Sequence, residues 1–223
     1  MLQSKNKKIS IYFFLFLMIA TFHNKNLNNI NFAEIKDISI KGLDASNNSQ
    51  LENDIKFLIK NNLFFLNKTK VSEVISSNNL VENYSVFKEY PSTLNITINK
   101  TIFLAKLKKN NQNFILGSNG KLIETSNNKK DLPFIFGNFE IKNFFKLKKA
   151  IDQTDLDYFD LKKLLFFKSG RWDIETKDGL LIKLPKNEIT KSLKLLLTFL
   201  DKHNEKKINQ IDLRQYNQII INE

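Results

Sequence analysis

The chain has 223 residues, 42% of them hydrophobic and 26% charged, the make-up of a folded globular protein and not of a fibrous or wholly disordered one. Its formal net charge is +12, yet Arg171 and Arg214 are the only arginines and the lysines are spread along the chain; specific nucleic-acid recognition, which leans on the bidentate guanidinium fork, is disfavoured. No cysteine is present, which excludes disulfides, thiol nucleophiles and thiolate metal sites.

The first element is the uncharged run Ile9 to Phe22, ISIYFFLFLMIATF. As a helix it spans roughly 21 Å against a hydrocarbon core of ~30 Å. A cleaved signal peptide has an apolar region of this length but ends in a small-x-small site, which Ala20-Thr21-Phe22-His23 does not supply, so the reading favours an uncleaved anchor. Lys5, Lys7 and Lys8 precede the run and only Lys25 follows closely, which puts the N-terminus in the cytoplasm. Residues 1–8 are expected as a cytoplasmic tail, 9–22 as a transmembrane anchor and 23–33 as a polar linker.

Ile35, Ile38 and Ile40 then lead to Gly42-Leu43 and predict a strand ending in a turn. Ser49 and Glu52 have the spacing of a capping box, with Leu51, Ile55, Leu58 and Ile59 on one helical face. After the apolar connector Leu63 to Leu66, a second helix is expected near Thr69 with Val71, Val74 and Ile75 inward. Two strands follow, one holding Val81 and Val86, the other alternating Leu94, Ile96 and Ile98 with Asn95, Thr97 and Asn99. Pro91 separates them. The order is β-α-α-β-β.

From Ala105 the pattern changes to hairpins. Phe114-Ile115-Leu116 and Lys121-Leu122-Ile123 flank Gly117-Ser118-Asn119-Gly120, which reads as a turn and not a phosphate cradle, since no helix follows it. Trp172-Asp173-Ile174 and Leu180-Leu181-Ile182 make a second pair. Glu140 to Leu165 is expected to be helical with a break near Thr154, and a clearer helix starts near Asn187 with Ile189, Leu193, Leu196, Leu197 and Leu200 on one face. Two strands, Ile208 to Leu213 and Gln218 to Asn222, close the chain, and the fold class is α+β.

His23 and His203 stand apart from any carboxylate cluster with ligand or acid-base spacing. The chain is therefore read as non-enzymatic, with no cofactor and no metal.

In a sequence crowded with Lys, Asn, Ile and Phe, the rare residues fall in order: Ile38-x-Ile40-x-Gly42, Asn62-Leu63-Phe64-Phe65-Leu66, Tyr90-Pro91-Ser92-Thr93-Leu94, the Gly117 to Gly120 hairpin, Leu132-Pro133 ahead of Gly137, Arg171-Trp172-Asp173, Asp178-Gly179 leading to Leu184-Pro185, and Ile211-Asp212-Leu213-Arg214. In this order and spacing, behind an N-terminal anchor, the chain resembles the FtsQ/DivIB cell-division family over nearly its whole length. The resemblance implies a single-pass inner-membrane protein with its bulk in the periplasm, concentrated at the division septum. It further implies a POTRA domain over 34–100 and a mainly antiparallel β domain with covering helices over 101–223. Such proteins bind FtsB (or DivIC) and FtsL and through them regulate the septal synthase FtsW/FtsI.

A last strand at a sheet edge can receive a partner strand, and in the family FtsB adds one there. Matching through Ile211 to Arg214 assigns the contact to Arg214, Gln215, Tyr216, Asn217, Ile219, Ile220 and Ile221, with Arg171 on a neighbouring strand as a clamp for an acidic partner. The chain departs from the pattern in one place: Gln215 stands before Tyr216, where many relatives carry an aromatic directly after Asp-Leu-Arg. Two other readings stay open. One is a POTRA-bearing outer-membrane assembly or transport protein, for whose barrel residues 101–223 are too few and too lysine-rich; the other is a secreted, cleaved binding protein.

Overall fold

The computed structural model describes residues 3–22, 34–56, 62–125, 131–202 and 208–222. The expected linker 23–33, together with Leu58, Ile59 and His203, lies outside them.

The first helix, α1 (Gln3–Phe22), takes in the lysines ahead of the apolar run as well as the run itself. Every side chain from Lys7 to Ala20 is exposed, so the apolar surface goes around the whole helix and does not form one stripe. The expected transmembrane span is corrected here: among the described residues, no helix is long and apolar enough to cross a membrane. Lys5, Lys7 and Lys8 occupy the first turns, leaving the short uncharged run to carry all the hydrophobicity.

By internal contacts the chain falls into two units, Met1–Val74 with Ser85–Thr97, and Ile75–Tyr84 with Ile98–Glu223. The first three-stranded sheet is built from β1 (Asp37–Lys41), β2 (Val81–Glu89) and β3 (Thr93–Lys100) in the order β1-β3-β2, with helices α2 (Ala45–Lys56) and α3 (Lys68–Ser77) between β1 and β2 in sequence. Strand β1 runs parallel to β3, with Ile38 opposite Leu94 and Ile40 opposite Ile96. Leu94, Ile96 and Ile98 are all buried, so the period-two pattern of this strand reports a real inside face.

Helix α2 begins four residues before the expected cap, leaving Ser49 and Glu52 inside it. The chain is closed instead by Asn48, whose side chain donates to the Leu43 carbonyl at 2.9 Å and accepts from the Leu43 N–H at 3.2 Å. Asn67 starts α3: its Oδ1 accepts from the N–H groups of Thr69 and Lys70 at 3.0 and 3.2 Å, satisfying donors that the first helical turn leaves free.

The second sheet has nine strands: β4 (Phe103–Lys109), β5 (Gln112–Gly117), β6 (Leu122–Glu124), β7 (Phe134–Phe136), β8 (Leu161–Phe166), β9 (Trp172–Thr176), β10 (Leu181–Lys183), β11 (Gln210–Asp212) and β12 (Ile220–Asn222). They stand in the order β12-β11-β10-β9-β8-β7-β4-β5-β6. Five neighbouring pairs are antiparallel; β4–β7, β7–β8 and β10–β11 are parallel. A single register row, Ile211, Ile182, Ile174, Leu164, Ile135 and Leu107, crosses six strands and faces the core. Helices α4 (Ile141–Asp152) and α5 (Ile189–Lys202) supply Phe144, Leu147, Ile151, Leu193 and Leu196 to that same core.

The expected helix over Glu140 to Leu165 is half right. Its first part is α4, but after a 3-10 turn at Tyr158–Asp160 the chain becomes strand β8, held between β7 and β9. Leu161-Lys-Lys-Leu-Leu-Phe carries no period of its own, and pairing on both sides decides its state. Two rare residues find their reasons nearby. A Cβ on Gly137, at φ +99°, would collide with the Phe166 carbonyl, and Trp172 is buried against Phe166, with ring centroids 4.7 Å apart.

The Gly117–Gly120 turn does more than reverse the chain. Within the second unit, Asn119 donates to the carbonyls of Asn79 and Val81, both at 2.9 Å, and accepts from the Lys121 N–H at 3.0 Å. Thr101 and Ser118 hydroxyls both donate to Glu82 Oε2, at 2.9 and 2.7 Å. These bonds fix the start of β2 to the large sheet's own turns.

Candidate functional site at the carboxy-terminal sheet edge

Strand β12 is the outermost strand of the nine-stranded sheet. Among the described residues it pairs only with β11, antiparallel, with Ile211 opposite Ile221 and Asp212 opposite Ile220. All three of its residues are exposed, Ile220 at 51% and Ile221 at 37%. An edge strand carrying exposed β-branched side chains is a template for another strand. Ile219, one residue earlier, instead packs against the core and ties the strand down.

The loop from β11 to β12 turns through Asn217, a non-glycine residue at φ +54° of the kind asparagine tolerates. It is stiffened on both sides. On one, the Arg214 guanidinium grips the Asp212 carboxylate: Nε donates to both oxygens at 2.9 Å, NH2 donates to Oδ2 at 2.5 Å, and the Arg214 N–H adds a bond to Oδ1 at 3.0 Å. On the other, Lys191 of α5 donates to the Tyr216 hydroxyl at 2.8 Å and lies 4.4 Å from the ring centroid. Between them lies a cleft of about 270 Å³, floored by Leu195, Leu213 and Pro185 and rimmed by Lys186, Lys191 and Arg214.

Charge on this part of the sheet is organised across strands. Asp173 in β9, Lys183 in β10 and Asp212 in β11 occupy one register row, on the face opposite the helices. Arg214 holds the Asp212 carboxyl below the usual carboxylate range. Burial pushes Asp173 the other way, despite the attraction of Arg171, Lys183 and Arg214. Arg171 Nε stands 3.6 Å from Asp173 Oδ1, and these two are the buried side-chain atoms, among the described residues, left without a hydrogen bond. The Arg171 guanidinium also stacks 4.5 Å from the Phe167 ring centroid.

The structure thus brings Arg214, Gln215, Tyr216, Asn217, Ile219, Ile220 and Ile221 together at the edge. The placement of Arg171 is corrected: it precedes β9, which β10 and β11 separate from β12, so it is not on a strand next to the edge. Asp212, Lys183 and Lys191 were missed. The i, i+2 spacing of Asp212 and Arg214, which places both on one side of an extended chain, was the available signal; the Lys191–Tyr216 contact had none. Among the described residues no group of three or more His, Asp or Glu is placed to hold a metal ion.

A β-α-α-β-β module followed by a large mixed sheet is the element order of a POTRA domain joined to a β domain. Comparison with known proteins agrees. Residues 33–100 match the FtsQ-type POTRA domain and residues 105–214 the C-terminal domain of cell division protein FtsQ/DivIB. The chain belongs to the FtsQ/DivIB family of cell division proteins.

It is 27% identical over 150 residues to cell division protein DivIB of Clostridium tetani, covering 58% of this chain and 54% of the relative. To cell division protein FtsQ of Bradyrhizobium diazoefficiens it is 23% identical over 170 residues, covering 73% and 48%. The chain spans about half the length of these curated relatives. Among solved structures, the major extracytoplasmic domain of DivIB from Geobacillus stearothermophilus is similar with a TM-score of 0.35 at 13% identity, over 49% of this chain and 99% of that domain.

Proposed function

We propose that this chain is a divisome scaffold that works by holding other division proteins and not by catalysis. The observation that carries the reading is β12: an edge strand, exposed on every residue, with its approach loop already stiffened by Asp212–Arg214 and Lys191–Tyr216. A partner segment pairs with β12 as an added strand, its side chains meeting Ile220 and Ile221, while Tyr216, Gln215 and Asn217 meet it at the turn. Arg214, preset by Asp212, offers cationic complementarity to an acidic group on the partner, and Arg171 does so farther along the same face. The partners are FtsB- or DivIC-like and FtsL-like proteins, with FtsW/FtsI downstream.

In this reading α1 attaches the chain to the inner membrane, because apolar side chains exposed around a whole helix need a nonaqueous surrounding. The domains lie in the periplasm and concentrate at the septum. A fluorescent fusion in dividing cells tests the reading: a band at midcell is expected, and a uniform envelope signal through the division cycle contradicts it.

A further inference from the structure

Three segments of the first unit meet where the chain enters it from α1. Glu34 forms an isolated antiparallel bridge with Asn62. The Lys36 N–H donates to the Ser92 carbonyl at 2.9 Å, and the Lys88 ammonium donates to the Leu63 carbonyl. The connector 62–66 and the turn at 90–92 are therefore both fastened beside the entry strand.

What they present outward is aromatic. Leu63 and Leu66 are buried, at 0% and 6%, and pin the connector at both ends, while Phe64 and Phe65 between them are 57% and 72% exposed. The Asn62 side chain accepts from the Phe65 N–H at 3.0 Å and so fixes the tight bend that projects them. Tyr90, 55% exposed, stacks on Phe64 with centroids 5.1 Å apart. Large side chains held out in a preset cluster mark a contact surface.

The position of the cluster selects its occupant. Residues 23–33 separate α1 from Glu34, and even fully extended such a segment reaches no more than ~40 Å. The cluster sits at the end of the unit to which that tether is attached. Aromatic rings with one polar tip, as in Tyr90, suit the headgroup region of a bilayer. The nearby charges, Glu34, Asp37 and Glu89 against Lys36 and Lys88, are mixed in sign, so no electrostatic attraction to anionic lipid is implied. The short apolar run of α1 also leaves room for a second contact, since firm membrane attachment generally takes two weak signals.

We infer that Phe64, Phe65 and Tyr90 form a second membrane contact, inserting into the headgroup boundary of the bilayer that α1 engages and holding the first unit against it. The inference rests on the reading of α1 as the membrane attachment.

The test uses the full chain with Phe65→Trp, reconstituted into phosphatidylethanolamine/phosphatidylglycerol vesicles carrying a doxyl group just below the headgroup. Trp172, 2% exposed, serves as the unquenched internal reference. The introduced indole is expected to shift to the blue and to be quenched by the doxyl lipid, in high salt as in low, and to lose both effects when Phe64 and Tyr90 are also changed to serine. If the chain floats with the vesicles while the indole stays open to acrylamide and unquenched by lipid, the inference is overturned and the α1 reading stands. Shielding from acrylamide without lipid quenching means that protein covers the cluster, which overturns it equally. Failure of the chain to float removes both.

Discussion

Asp173 and Asp212 stand in register on either side of Lys183, one in β9 and one in β11, yet their carboxyls are driven in opposite directions. The difference lies in the partners. Asp212 accepts a bidentate guanidinium and a backbone N–H, whereas Asp173 is buried with one oxygen unbonded and its arginine at 3.6 Å.

Opposite pH dependences follow. The lowered Asp212 stabilises the fold at pH above its unfolded value, near 4, and that contribution is lost as pH falls through the folded value. Asp212→Asn should cost about 1 kcal/mol at neutral pH, a modest figure because Arg214 is partly solvated, and the gap should close below pH ~3. The raised Asp173 does the reverse: its contribution is complete below the unfolded value and is lost as pH rises through the folded one. Asp173→Asn should melt no lower than the parent at pH ~7 and lose any advantage toward pH ~3. Thermal melts of both variants across that range check the two signs.

Asn119 supports three hydrogen bonds from a turn. Replacing it with alanine leaves the Asn79 and Val81 carbonyls short of a donor and should destabilise the chain by about 1–3 kcal/mol in denaturant titration. Gly117→Ala should act in the same direction, since its Cβ would come within 2.7 Å of both Thr101 Oγ1 and Asn119 Oδ1.

Leu164 is wholly buried in the row that crosses the sheet core. Leu164→Ala should cost about 2–5 kcal/mol, read as a lower denaturant midpoint with an unchanged slope. A cost well under 1 kcal/mol would mean that β8 is not the central strand described.

These residues also mark what could be read in advance. Strand β3 and helix α5 were legible because one face is buried and the other wet, so that Leu94, Ile96 and Ile98, or Ile189, Leu193 and Leu196, recur at the period of their element. Strand β8 was not, since its state depends on β7 and β9, far away in sequence. At the candidate site, the order of rare residues pointed to the last strand. The depth of Arg171 behind β10 and β11 is a matter of strand order, and the brace of Lys191 on Tyr216 depends on how α5 packs; neither leaves a local trace. A helix forms over the apolar run, but it begins at Gln3, takes the lysines expected in a tail into its first turns, and is not long and apolar enough to cross a membrane.

The central claim is that β12 receives a partner strand, and Ile220→Pro tests it most directly, because proline cannot take a regular place in a ladder and Ile220 is half exposed. The measurement is capture of the purified FtsB- or DivIC-type protein by the full chain, with melting curves recorded in parallel. The account predicts that the variant melts like the parent and captures far less partner. A variant that melts like the parent and binds equally well would contradict it.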